Sequence, residues 1–273
     1  MSRLRLPLAL LLFAASDARA QRLVLELRPH FGDTVRMRFD QTTEMSGTRK
    51  GVATKAVVTT LRMFSRAIVE SSSPASALIL AITDSVDVRT TDERARPLAS
   101  ETQRLLAGRQ MRLRLSPDGT VGVADQQPNV PKEVSELVAV MPASFPRGSV
   151  AVGDTWLREM PIPPSATFGV PLGGVVKAAF KLDSISEDAE VAYLSMRGSL
   201  QQVAEQSGVN SGALTGSVNG SMVVDRRRGW LSESRFLLQM RATVASVGAK
   251  GAATDPMQFR MKITQHMRVS DKR

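Results

Sequence analysis

Apolar and charged side chains alternate with a period of two along most of this chain, and that pattern leaves little room for any fold but a sheet. Val35, Met37 and Phe39 alternate with Arg36, Arg38 and Asp40. Leu78, Leu80, Ile82, Val86 and Val88 share one parity, interrupted by Asp84. Met111, Leu113 and Leu115 alternate with Arg112 and Arg114, and Val176, Ala178, Phe180 and Leu182 face away from Lys177 and Lys181. Trp230, Ser232, Ser234, Phe236, Leu238, Met240, Ala242 and Val244 oppose Glu233, Arg235, Gln239 and Arg241. Phe259, Met261, Ile263, Met267 and Val269 oppose Arg260, Lys262, His266 and Arg268. Successive strand residues point to opposite faces, so the pattern predicts antiparallel strands with one face on a core and the other in water.

Turn chemistry agrees. Ser116-Pro117-Asp118-Gly119 separates the Met111 strand from Val121-Gly122-Val123, and Asp225 to Gly229 links Met222-Val223-Val224 to the Trp230 strand. Both read as hairpins, with glycine available for a positive φ. Two segments break the alternation. In Asn129 to Met141, Val130, Val134, Leu137, Val138 and Met141 fall at helical spacing, with Asn129 as cap, Pro131 in the first turn and Pro142 as stop. A shorter helix is expected over Leu98 to Ala107, with Leu98, Leu105 and Leu106 apolar and Gly108 after it. A helix with one apolar stripe packs most simply on the apolar face of the sheet. The prolines from Pro161 to Pro164, extending to Pro171, exclude a central strand and mark an edge-covering loop or a linker. Gly32-Asp33-Thr34 and Gly153-Asp154-Thr155 each lead into a strand, so a pair of related units stays open beside chance recurrence.

The first twenty residues constrain the compartment. Arg3 and Arg5 precede the apolar run Leu6 to Ala15, and Ala18-Arg19-Ala20 offers a small-x-small site before Gln21. This is the plan of a cleaved signal peptide, too short in its apolar core to span a bilayer. The chain has no cysteine, hence no lipobox and no disulfide. With aromatics at 4%, two Trp and one Tyr, it lacks the interfacial girdle expected of a membrane-spanning barrel. The expectation is an exported, soluble, periplasmic protein: residues 1–20 as signal and 21–273 as one β-rich domain, a division into halves 21–148 and 149–273 staying open.

A formal net charge of +10 either solvates the polar face of a sheet or attracts anionic partners. Outside the cytoplasm these are lipid headgroups or lipopolysaccharide rather than nucleic acid. No catalytic site, metal site or cofactor is expected. Thiol chemistry is excluded, the only histidines are His30 and His266, and no HExxH, nucleophile elbow, Walker loop or dinucleotide fingerprint occurs. Three features point elsewhere. Gly208, Gly212, Gly216 and Gly220 strip side chains from one parity, which suits helix packing, strand bending or a ligand. The 13 methionines cluster on apolar faces, where thioethers fill a core or line a surface for acyl chains. Arg226, Arg227 and Arg228 form a cationic hairpin tip that is either solvated or able to grip phosphate oxygens, and is exposed in both cases.

Phe145-Pro146-Arg147-Gly148 through Val152-Gly153-Asp154-Thr155-Trp156 resembles a "P…V.VGD.W" element of uncharacterised exported bacterial proteins. Gln41-Thr42-Thr43 and Asp225…Gly229-Trp230-Leu231-Ser232-Glu233-Ser234 resemble the same family's "Q.T" and "D…G.L..S" elements. The architecture resembles the lipoprotein-carrier half-barrels of the Lol type, where a curved antiparallel sheet wraps a helical plug and leaves a groove for acyl chains. That resemblance implies binding through an apolar lining rather than a signature motif. The expectation is therefore a mainly β fold: a curved antiparallel sheet or half-barrel with one or two helices on its concave face. Its expected function is non-catalytic binding of a lipid or other hydrophobic ligand, such as a lipoprotein acyl chain. The expected lining is Met37, Phe39, Met111, Leu113, Phe236, Leu238, Met240, Met261 and Ile263, with Arg226, Arg227 and Arg228 on an anionic headgroup. The alternative is an envelope interaction module with a packed interior and no small ligand.

Overall fold

Each alternating run forms a strand. The computed structural model describes residues 22–49, 51–124, 144–165, 172–202, 210–246 and 256–270. Its strands are β1 (Thr34–Arg49), β2 (Val52–Ala53), β3 (Val57–Ser72), β4 (Ala77–Thr90), β5 (Gln110–Leu115), β6 (Val121–Val123), β7 (Thr155–Ser165), β8 (Leu172–Ile185), β9 (Val191–Gln202), β10 (Asn210–Asp225), β11 (Trp230–Ser246) and β12 (Met257–Ser270). They make one antiparallel sheet in the order β6-β5-β4-β3-β1-β12-β11-β10-β9-β8-β7, with β2 paired to β1. Among the described residues β6 and β7 end the path unjoined, so the sheet is an open half-barrel. The expected fold class is borne out. The expected signal peptide and the Asn129–Met141 helix lie outside the described residues.

The sheet consists of two five-stranded meanders stitched together by the last strand. β1, β3, β4, β5 and β6 form one side, β7 to β11 the other, and β12 pairs with β1 and with β11. The recurring Gly-Asp-Thr opens both meanders with the same turn. Gly32 donates its amide to Val69 and accepts a φ of 83°, while Gly153 donates to Leu182 at a φ of 94°. The Asp33 carboxylate accepts from the His30 amide at 3.0 Å, and the Asp154 carboxylate accepts from Ala151 at 3.0 Å. An Asp side chain closing its own turn in this way replaces a backbone partner.

Among the described residues five register shifts re-aim the strands; four leave a single polar residue at the extra position, Glu70, Asp84, Asp183 and Ser232, and the fifth falls at the prolines of β7 between Ile162 and Ser165. A bulge flips parity beyond it. Asp84 therefore splits the parity that the sequence assigns to β4. Val86 is buried with Ala77 and Ile79, whereas Leu78, Leu80 and Ile82 face outward and are half-buried. At Ser232 the same switch brings Leu231 against the core although the sequence parity places it outside.

The core runs along the inner face as far as Leu214 and Ala242, and at the Val224 end it is covered. An extended strap at residues 22–30 crosses it, burying Leu23, Leu25, Leu27 and Pro29 and turning Arg22, Val24 and Arg28 to solvent. The strap is tied at Leu23 to Val150 and at Leu27 to the Pro117 carbonyl. Phe145, 1% exposed, closes the same end, with Trp156 stacked on Phe180 at 5.9 Å and donating to the Ser144 carbonyl.

The one described α-helix, α1 (Arg96–Leu106), starts two residues before the expected Leu98–Ala107 segment, ends one residue short of it, and buries none of its residues. It packs on β4, where β5 stops at the Ile82–Gln110 pair and leaves an edge. Gln103 accepts the amide of Val88 there at 3.2 Å, satisfying a donor the sheet leaves free. The proline-rich segment forms the edge strand β7, the place where a missing amide costs no ladder bond.

Candidate functional site

The pairing register sets seven of the nine expected lining residues on three adjacent strands and one face. Met240 lies opposite Met261, which lies opposite Met45; Leu238, Ile263 and Thr43 form the next row; Phe236, Gln265 and Gln41 the next. Met37 and Phe39 continue the face toward the strap, opposite Val269 and Met267. Met111 and Leu113 share the face but lie on β5, beyond β3 and β4, opposite Ala81 and Ile79. Only Met261 is fully buried, at 8% exposure; the other eight are half-buried.

Sequence reading misses part of this surface. Leu61 and Met63 on β3 face Gln41 and Phe39 and extend the apolar area. Between them sits a polar island: Gln265 donates to Gln41 at 2.8 Å, and Gln41 donates to Thr43 at 3.3 Å. The signal was present as a polar gap in the apolar parity of both β1 and β12, but only their pairing shows that the gaps coincide. The glycine parity of β10 resolves as close packing. A Cβ at Gly220 would lie 2.3 Å from the Phe236 ring, so the ring occupies the space that the missing side chain leaves. Gly208 lies outside the described residues.

The arginine tip is at the other end of the molecule from the methionine rows. Arg228 lies in the turn before β11, twelve positions from Met240, on the order of 40 Å at strand rise. One amphiphile cannot place its headgroup at the tip and its chain against Met240. Nor is the tip uniformly exposed: Arg227 is exposed, 3.5 Å from Glu190, whereas Arg226 and Arg228 are half-buried. Arg226 donates to the Ala189 carbonyl, and the Arg228 amide donates to Asp225 at 2.9 Å. These bonds shape the hairpin.

The outer face is a lattice of charges. Asp40 accepts from Arg38 at 2.7 Å and from Arg62 at 3.0 Å, which holds its carboxyl below the usual range, the Arg38 bond contributing most. His266 Nε2 lies 2.8 Å from Glu233, which lowers the Glu233 carboxyl, with a smaller share from Arg235. Among the described residues no group of three or more His, Asp or Glu is placed to hold a metal ion, and no helix is long and apolar enough to cross a membrane.

No protein-family model matches the chain, and no curated protein sequence does. Among solved structures it is similar to the outer membrane protein OprG from Pseudomonas aeruginosa, at 6% identity and a TM-score of 0.22, over 88% of this chain and 97% of that one. It is also similar to the COG4313 outer membrane channel from Pseudomonas putida F1, at 9% identity and a TM-score of 0.23, over 90% and 98%. These are outer-membrane proteins. The finding corrects the expected kinship with Lol-type carriers and with an exported family, and the soluble periplasmic placement that went with it. The physical reason is that one apolar face along long antiparallel strands is common to carriers and membrane barrels, so alternation alone cannot separate them. Nothing about activity is taken from these neighbours.

Proposed function

We propose that the chain is a non-catalytic binder of a lipid or other amphiphile, held on the inner face beyond the strap. The observation that carries this reading is the contrast in burial along one face: Leu25, Val35 and Leu182 are sealed, while Phe39, Phe236, Leu238, Met240 and Ile263 are only half-buried among the described residues. A contiguous apolar surface left half in water gains from a partner that covers it, at about 25 cal/mol per Å² of apolar area removed from water. Methionine at three adjacent positions of one row, Met45, Met261 and Met240, adapts to chains of different shape. The Gln41–Gln265 pair supplies a polar contact within reach of that row.

The test is native mass spectrometry with organic extraction, on full-length protein taken from both the membrane and the soluble fraction of its host. An extractable fatty acid or phospholipid, depleted in the Leu238→Gln/Met240→Gln variant, is the expected result. No amphiphile in either fraction, and no uptake of added fatty acid, overturns the reading.

A further inference from the structure

The outer face carries a feature that inner-face binding does not use. Beyond the strapped end, Ser46, Arg260, Arg241 and Thr215 form one transverse row, each directly opposite the next across β1, β12, β11 and β10. Like charges directly opposite on neighbouring strands cost stability. Several arginines elsewhere on this face are answered, Arg62 by Asp40, Arg66 by Asp84 and Arg235 by Glu233. Arg241 and Arg260 are both exposed, and neither has a carboxylate partner among the described residues. In the adjoining row Lys262 lies 3.2 Å from Glu44. These side chains line a trough of about 570 Å³.

We propose that this trough is an oxyanion site that takes a phosphate group between Arg241 and Arg260. Two guanidiniums offer paired N–H donors in the geometry that phosphate oxygens accept, and the Ser46 and Thr215 hydroxyls flank them as further donors. Lys262 is largely matched by Glu44, so the arginines leave two charges unanswered, which suits a phosphate monoester dianion. The trough is larger than the ion alone, so the group enters free or carried on a larger molecule such as a lipid headgroup. The site stands on the opposite face from the amphiphile surface and survives the failure of that reading.

The experiment follows the thermal midpoint of full-length protein while inorganic phosphate, glycerol phosphate and chloride are titrated at matched ionic strength. A parallel arm measures co-sedimentation with phosphatidylcholine vesicles with and without phosphatidic acid. Phosphate or glycerol phosphate raising the midpoint saturably above chloride is expected, and so is at least a tenfold loss of apparent affinity in Arg241→Gln/Arg260→Gln. Binding only to phosphatidic-acid vesicles, lost in the same variant, supports the site and assigns it to a headgroup. Because the substitution removes a repulsion between exposed groups, the variant keeps or gains stability without anion, so loss of binding is not loss of fold. Glu44→Gln, which releases Lys262, strengthens binding severalfold. No phosphate effect beyond chloride and no phosphatidic-acid dependence overturns the proposal, as does equal binding by the double variant.

Discussion

Two stretches of the inner face are built from the same strands and nearly the same side chains, yet the one under the strap is sealed while a patch on β1, β11 and β12 beyond it stays half open. On β1, Val35 is 2% exposed, whereas Phe39 on the same parity is half-buried. On β10 and β11, Met222 and Val224 are sealed near the hairpin, while Phe236, Leu238 and Met240 further along remain half open. The difference is not in the strands. Among the described residues it lies in the strap and in Phe145, which cover the stretch near Val35 and Val224. Apolar alternation therefore says that a face seeks cover, and the connections decide whether the chain supplies it.

The sharpest way to break this contrast is at the strap. Leu25→Asp places an unpaired charge in the sealed end and is expected to abolish cooperative folding, read by urea unfolding and near-ultraviolet circular dichroism. Leu25→Ala is expected to cost about 2–5 kcal/mol, as for buried leucines in general. Leu238→Ala at the open end is expected to cost less than half of that in the same titration, while lowering amphiphile uptake. Equal costs at both positions would show that the open end is as packed as the closed one.

Gly229 tests the strap from the other side. Its φ is 64°, and a Cβ there would lie 2.2 Å from the Arg28 carbonyl oxygen. Gly229→Ala is expected to lose about 1–3 kcal/mol through backbone strain alone, with displacement of the strap in addition. Hydrogen exchange at the Leu27 amide, which is bonded to Pro117, reports whether the strap lifts.

The smallest effect belongs to the outer lattice. Glu233 is held below the ordinary carboxylate range by His266 first and Arg235 second. Its contribution is complete above the ordinary carboxylate pKa and is lost as pH falls through the lowered folded-state value. Glu233→Gln should flatten that acid limb and cost about 0.2–1 kcal/mol at neutral pH, as exposed pairs do. A loss of several kcal/mol would make the outer face part of the stabilising structure rather than a solvated one.

Much of this was legible in the residues. Alternation located the strands, Ser116–Gly119 and Asp225–Gly229 located two hairpins, and the prolines after Met160 pointed away from a central strand. The lining was legible as a parity but not as a place. Met111 and Leu113 carry the same pattern as Met240 and Met261, and only strand order sets them apart. Leu78 and Leu80 share a sequence parity with Val86 but face the other way, because a one-residue bulge at Asp84 reverses parity without changing composition. The repeat of Gly-Asp-Thr, three residues among 273, gained meaning only once both copies were seen to make the same bonds.

What the sequence determined by itself is local: a strand's period, a turn's glycine, an arginine with no acid beside it. Those depend on residues within a few positions of one another. Tertiary structure decided which rows meet, which end of the inner face is closed, and that Arg241 stands against Arg260 rather than against an acid. These are long-range pairings, in which β12 joins β1 across most of the chain, and no local pattern encodes a partner so distant.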